Sequence, residues 1–427
     1  MPRFIADLEI HSKHARAVSP QMTLENLALW AQKKGIQVIG TGDFTHPIWF
    51  YDIKTKLEPA EAGLYQLKKE FCIENTAPFD SRNTRFLLSG EISCVYTKNG
   101  GGRRVHHLIY APSIEIAEKI NDQLSLIGNI RSDGRPIIGI DSKELLKILL
   151  DASPDCVLIP AHIWTPWFGM LGSKSGFNSL KECFDELEPQ IFAIETGLSA
   201  DPPMCWRIPF LDNKAVISSS DSHSLTRLGR EATIFDTGFS YKGIFDALRA
   251  RDERLVGTIE FFPEEGRYHY DGHAACKVSW SPEETKKHKG LCSQCGKQVT
   301  VGVMARVDEL ADPVRPAGFK PSWAKPFYSF VPFDQIIGEA LGIGPASKKV
   351  WGAYDDAART FGSEFKILMD ATEAELRAGL PPLVAEGVMR MRAGKVHIEP
   401  GYDGEYGKIE IFKDTERKVI TEQKALF

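Results

Sequence analysis

From the N-terminus to about residue 240, short apolar runs alternate with stretches in which apolar positions recur every three or four residues. The runs 4–8, 38–42, 85–89, 105–110, 157–161, 191–195 and 215–219 read as strands. The intervening segments 23–34, 58–73, 113–127, 142–151, 178–187 and 241–251 read as helices. The first helix is the clearest: Thr23 is placed to cap it, Leu24, Leu27, Ala28 and Ala31 share one face, and Lys33-Lys34-Gly35 marks its end. Strand–helix alternation over about seven units predicts an α/β fold with a parallel sheet, closed into a barrel at this length.

After about residue 265 the pattern changes. A short Cys/His-rich insert runs to about 300, followed by the Pro- and aromatic-rich stretch PVRPAGFKPSWAKPFYSFVP. Helical patterns at 334–342, 346–361, 364–370 and 373–393 come next, then a strand pair near 395–412. Three units are therefore expected: a barrel over 1–265, a metal-binding insert over 266–312 and a mostly helical domain over 313–427.

Composition narrows this little. The chain of 427 residues is 43% hydrophobic and 26% charged, as expected for folded domains. No uninterrupted apolar stretch is long enough for a membrane span, and MPRFIADLEI lacks the basic-then-apolar order of a secretory signal. Five scattered cysteines, Cys72, Cys94, Cys156, Cys183 and Cys205, fit a reducing compartment, so a cytoplasmic address is expected. The net charge of −5 gives no overall footprint for nucleic acid. No phosphate-binding G-x-x-x-x-G-K-[ST] loop occurs, which removes support for an ATP-driven motor.

The chemistry lies where strands end. The first strand leads into Asp7-Leu8-Glu9-Ile10-His11, the second into Gly42-Asp43-Phe44-Thr45-His46, and the third into Gly90-Glu91. The fourth carries His106-His107, the fifth reaches His162, the sixth Glu195, and the seventh Asp221 and His223. A single histidine or aspartate of this kind is usually a hydrogen-bonded or capping residue. Seven successive strands bringing such groups to one rim is different, because burying so many ionisable groups without cations would be very costly. Imidazole mixed with carboxylate, and no thiolate, suits Zn, Mn or Fe, and a shared carboxylate such as Glu91 could bridge two ions.

In the order DLEIHS, GTGDFTH, GE, HHL, PAH and SDSH, these motifs resemble those of the PHP (polymerase and histidinol phosphatase) superfamily, over residues 1 to about 225. The resemblance implies a distorted (β/α) barrel that hydrolyses phosphoesters with two or three divalent ions, here Zn, Mn or Mg. It would place Glu9, His11, Glu91 and Asp221 on one ion and Glu91, His107 and His162 on a second. His46 and His223, with Asp43, would serve a third, and Glu195 matches a position that varies. Asp221, His11, Glu91 and His162 are the residues expected to be catalytic. Two departures stand out. Glu9 occupies the first position of the usual His-x-His, and Phe44-Thr45 separate Asp43 from His46. Between the adjacent His106 and His107, the second is favoured as ligand.

His273-x2-Cys276-x15-Cys292-x2-Cys295 has the spacing of a structural zinc site, with His269 and His288 as substitutes for His273. Leu341-Gly342-Ile343-Gly344-Pro345-Ala346, between two helical patterns, is similar to the turn of helix-hairpin-helix DNA-binding elements, although such turns are more often only tight connections. The aromatic groups Trp49-Phe50-Tyr51 and Trp164, Trp167 and Phe168 follow ligand positions, and fit packing or base stacking equally. The order as a whole, with YHYDGHAAC, LCSQCGK and TVGVMARVDELAD, resembles the endonuclease Q family of DNA repair nucleases. That resemblance implies hydrolysis of the phosphodiester 5′ of uracil, hypoxanthine, xanthine and abasic sites, with damaged DNA as partner. The alternatives are a phosphatase for a small phosphomonoester and a DNA-binding protein without catalysis.

Overall fold

A computed structural model describes residues 3–413 together with Glu416 and Arg417. The expected helix starts hold because their caps are made. Thr23 accepts from the Asn26 N–H at the start of Leu24–Lys34, and Gly35 closes that helix with a φ of 87° that its missing Cβ permits. Ser113, Asp141 and Ser240 cap Ile114–Ile127, Ser142–Ala152 and Tyr241–Ala250 in the same way.

The helix expected at 58–73 is not there. Pro47, whose ring presets φ and whose missing N–H costs nothing at a first turn, starts a helix earlier, Pro47–Lys56. The strands Leu57–Pro59 and Tyr65–Leu67 then pair antiparallel. Pro59 lacks a donor for a helix, and Gly63 has a φ of 74° in close contact with Tyr241, so local propensity for helix is overruled. Likewise 373–393 divides into Glu373–Gly379 and Pro382–Arg392, because Pro381 and Pro382 interrupt the ladder.

In place of the expected parallel sheet closed into a barrel, the strands are mixed in direction and fall into an eight-stranded sheet, a four-stranded sheet and separate two-stranded pairs. Phe4–Asp7, Val38–Gly40 and Arg85–Leu87 run parallel. On the other side of Phe4–Asp7, Ala232–Phe235 and then Leu255–Glu260 pair antiparallel. Ser89–Lys98 and Gly101–Tyr110 form a long antiparallel hairpin, and Val157–Pro160 joins its second arm, again antiparallel. Ala193–Glu195 and Ala215–Ile217 form a short parallel pair. A two-residue turn at Asn99-Gly100 with positive φ at both positions explains the hairpin, since this backbone matches the strand twist.

One apolar core extends from the sheet into the C-terminal helices Phe333–Leu341, Lys348–Phe361 and Pro382–Arg392. Trp30 packs on Trp351 and Tyr354, and the buried Lys34 ammonium lies 2.6 Å from Glu364. Phe327–Ser329 adds a strand beside Leu255–Glu260, so the tail takes part in the sheet that carries the first motif. The insert has only a small apolar cluster of its own, built on Val278, Trp280, Cys292 and Val299. No helix among the described residues is long and apolar enough to cross a membrane.

Candidate metal centre

The strand Phe4–Asp7 continues toward the loop 220–222, where the His11 N–H donates to the Ser222 carbonyl and the Asp221 N–H to the Glu9 carbonyl. This stitching sets Glu9, His11 and Asp221 side by side. His11 Nε2 lies 3.1 Å from Glu91 Oε2 and 3.1 Å from Asp221 Oδ1. On the other side of Glu91, Oε1 is 2.6 Å from His106 Nδ1 and 3.2 Å from His162 Nε2. Three overlapping groups with converging donor atoms result: Glu9, Glu91 and Asp221; Glu91, His106 and His162; and His11, Asp221 and His223. Glu91 and Asp221 each belong to two of them.

Backbone strain marks the same place. Asp43, His162 and Asp221 have φ of 49°, 28° and 45°, a region that residues with a Cβ rarely occupy. Surrounding contacts hold them there. The Ser12 N–H and hydroxyl both donate to Asp43 Oδ2, the His162 N–H donates to Glu195 Oε2 at 3.0 Å, and Gly197 leaves room that a Cβ would take from His162.

Several expected ligands have other positions. His107 was favoured over His106, whereas it is His106 that the structure brings together with Glu91 and His162. Opposite residues in an antiparallel hairpin share a face, and alternate residues along a strand do too. With Ser93 opposite His106, the face holding Glu91 also holds His106, while His107 points away and lies 2.8 Å from Ser142 Oγ. Asp43 does not enter the cluster but sits 2.9 Å from His11 Nδ1, where it orients the ring. His46 stands at the start of Pro47–Lys56 and stacks on His14 at 4.5 Å, outside all three groups. Glu195 lies beneath His162 and near Glu9, as an outer carboxylate. Of the set expected for a third ion, His223 alone joins one of these groups, with His11 and Asp221.

Electrostatics distinguishes the acids. Burial, then Glu195, Glu91 and Asp221, push Glu9 well above the usual carboxylate range. Burial likewise raises Glu195 to about 7. Burial acts on Glu91 and Asp221 too, but Arg135 and His106 outweigh it for Glu91, and His11 brings Asp221 down to about 2. Burial lowers His106 to about 4 and His107 to about 3, so both rings are neutral, the form that binds a metal. Both Glu9 oxygens and one Glu195 oxygen are buried without a hydrogen-bond partner. Partnerless buried acceptors are rare and costly, and a divalent cation would satisfy them, so the donor set fits metal ions.

Arg135, with Nη1 3.0 Å from Glu91 Oε2, and Thr165, 2.9 Å from His162 Nδ1, were missed in the sequence. Arg135 lies in a loop with no motif, whereas Thr165 follows His162 at a spacing that a turn could have suggested. Trp49 and Trp164 are packing residues. Their indole N–H groups donate to the carbonyls of Thr41 and Gly42 and to Cys205 Sγ respectively, whereas Tyr51 and Trp167 are exposed.

In the insert, His273, Cys276, Cys292 and Cys295 converge as one group. His269 packs against Tyr270, and His288 stacks on Trp280 at 4.2 Å, so neither substitutes for His273. Backbone N–H groups of Gln294 and Cys295 overcome burial and lower the Cys292 thiol to about 6, which favours a thiolate.

Residues 332–395 match the family described as the MJ0043 C-terminal domain. Uncharacterized protein MJ0043 of Methanocaldococcus jannaschii is 31% identical over 255 residues, which is 58% of this chain and 31% of that protein. The chain thus spans about a third of that relative's length. Uncharacterized protein YqxK of Bacillus subtilis is 28% identical over 423 residues, 96% of this chain and 100% of that protein. Among solved structures, the lesion-specific endonuclease PfuEndoQ of Pyrococcus furiosus superposes with a TM-score of 0.83 at 27% identity, over 97% of this chain and 96% of that one. The chain is a structural relative of endonuclease Q. A second endonuclease Q structure, in complex with a 27-mer duplex carrying an abasic lesion at the active site, aligns with a TM-score of 0.81 at 27% identity, over 97% of this chain and 98% of that one. The endonuclease Q likeness therefore takes in the first motif, the insert and the tail together.

Proposed function

We propose that this chain is a DNA repair endonuclease that hydrolyses the phosphodiester 5′ of deaminated bases and abasic sites, using divalent ions held in a PHP-type barrel. The observation that carries this reading is the set of three buried ligand groups that share Glu91 and Asp221, within a chain resembling endonuclease Q from end to end of the alignment. Glu9, His11, Glu91, His106, His162, Asp221 and His223 would hold the ions. When bound, such ions activate a water and stabilise negative charge on phosphoryl oxygens.

The chain's own residues prepare that chemistry. Asp43 fixes the His11 ring so that Nε2 faces Glu91 and Asp221. Thr165 holds Nδ1 of His162, leaving Nε2 toward Glu91. Arg135 keeps Glu91 ionised and reaches the surface, where it could also meet a phosphate oxygen. The second group of ligands, His273, Cys276, Cys292 and Cys295, would hold a structural zinc that folds the insert.

The test is a labelled duplex with a single uracil or abasic site, incubated with Mn or Mg and resolved beside size markers. A nick one bond 5′ of the lesion is expected, absent from undamaged duplex and from Asp221→Ala. Release of free uracil, equal cutting of undamaged DNA, or turnover of p-nitrophenyl phosphate alone would overturn the proposal.

A further inference from the structure

Beside the cluster runs a groove of about 490 Å³, walled by Tyr96, Arg103, Arg104, Trp167, Lys174 and Ser175. It is polar, and it touches the candidate centre at two points. Phe168, next to Trp167, stacks on the His106 ring at 4.4 Å, and its carbonyl accepts from the His106 N–H. Arg104 precedes His106 by two residues on the same strand and so projects from the same face, roughly 7 Å further out.

The cations in this groove are unequal. Arg103 is occupied: it donates to the Gly176 carbonyl and lies over the Phe177 ring. Arg104 and Lys174 are exposed, and their side chains have no partner among the described residues. Arg135, closer to the cluster, is paired with Glu91. Trp167 is 45% exposed and meets Tyr268 of the insert edge to face at 6.1 Å, so an aromatic surface spans the barrel and the insert. The tip of the hairpin beyond Arg104 is bare, with open space around Gly100 and Gly102.

We infer that this groove is the track by which a DNA strand passes to or from the metal centre, with Arg104 and Lys174 taking phosphates and Trp167 stacking a base. Unpaired cations next to an exposed indole are the combination that binds a strand without reading its sequence, and the step of roughly 7 Å from His106 to Arg104 covers the next one or two phosphates. A protein partner would find two cations and one ring here and little apolar area. The inference rests on the endonuclease reading, and its test is kept separate from cleavage.

Affinity for a fluorescein-labelled duplex with one abasic site would be measured by anisotropy across salt concentrations, in an Asp221→Ala background that leaves the DNA intact. The double variant Arg104→Ala, Lys174→Ala is expected to bind at least about tenfold more weakly, with the slope of log Kd against log salt reduced by about two. Trp167→Ala is expected to lose about tenfold, and Trp167→Phe to recover most of it. Lys242→Ala, on an outer helix, serves as the control for loss of one surface charge. An unchanged salt slope and affinities within twofold of the parent would overturn the groove assignment even if the wild-type protein nicks the duplex. Absence of nicking with the binding losses intact would overturn the endonuclease reading and leave the groove as a DNA surface.

Discussion

The His/Asp/Glu cluster at the strand ends and the Cys/His insert are both candidate metal sites, yet they are held together in opposite ways. The rim ligands stand on strands and strand ends within the main core, and outer partners such as Asp43, Thr165 and Glu195 fix their orientation. The insert group sits on a strand end and short turns around the buried Val278, Trp280 and Val299, too few to offset the conformational entropy of ordering such a segment. In the first region the fold positions the ligands for the metal. In the second, the metal would supply the fold. Chemistry at the rim should therefore be separable from stability, whereas in the insert the two should be lost together.

That contrast can be broken most sharply at the rim. Asp221→Ala or His11→Ala is expected to lower the single-turnover cleavage rate by at least about a thousandfold, as loss of an ion shared by the reaction requires. The circular dichroism spectrum and melting temperature should stay close to those of the parent. Unfolding of both variants would show that the rim, too, depends on its ligands for structure.

The insert should behave in reverse. Cys292→Ser is expected to release one zinc equivalent by elemental analysis and to expose residues 266–312 to limited proteolysis, at a cost of several kcal/mol to that segment. The N-terminal α/β region should remain resistant. Retention of zinc by this variant would remove Cys292 from the ligand set.

A finer test separates two neighbours. His106→Ala is expected to reduce cleavage at least about tenfold, the size of effect seen when metal surroundings are altered. His107→Ala should instead cost about 1–3 kcal/mol in urea unfolding through its lost contact with Ser142, with cleavage nearly unchanged. The opposite result would restore His107 as the ligand.

A last effect concerns pH. Glu260 is fully buried, accepts from the Thr196 hydroxyl at 3.2 Å, and has its pKa raised by burial to about 8. The folded state thus holds this proton more tightly than the unfolded chain. Its contribution is fully present below the ordinary carboxylate range and is lost as pH rises through about 8, at a slope of at most about 1.4 kcal/mol per pH unit. Urea midpoints at pH 5 and pH 8 should show the fall, and Glu260→Gln should make it shallower, with the raised Glu9 and Glu195 contributing the rest.

Much of this was legible in the sequence. Capping residues and apolar periodicity located Leu24–Lys34, Ile114–Ile127 and Ser142–Ala152 to within a residue or two, because those signals are local. The convergence of the insert's Cys/His group was equally legible, since His273, Cys276, Cys292 and Cys295 lie close along the chain and a Cys-x2-Cys turn brings two thiolates together by itself. Most members of the converging His/Asp/Glu groups could be named for a related reason: Glu9, His11, Glu91, His162 and Asp221 each lie at or just beyond an apolar run. What tertiary structure decided was which of two adjacent or alternative groups faces inward. His106 rather than His107 followed from hairpin register, and a shift of one residue turns a side chain to the opposite face. His46 was taken away by a helix starting at Pro47, and Arg135 was brought in by a loop that has no pattern of its own. Ligand type is written in the residues themselves, whereas convergence depends on pairing between segments far apart in the chain, and no local periodicity encodes that.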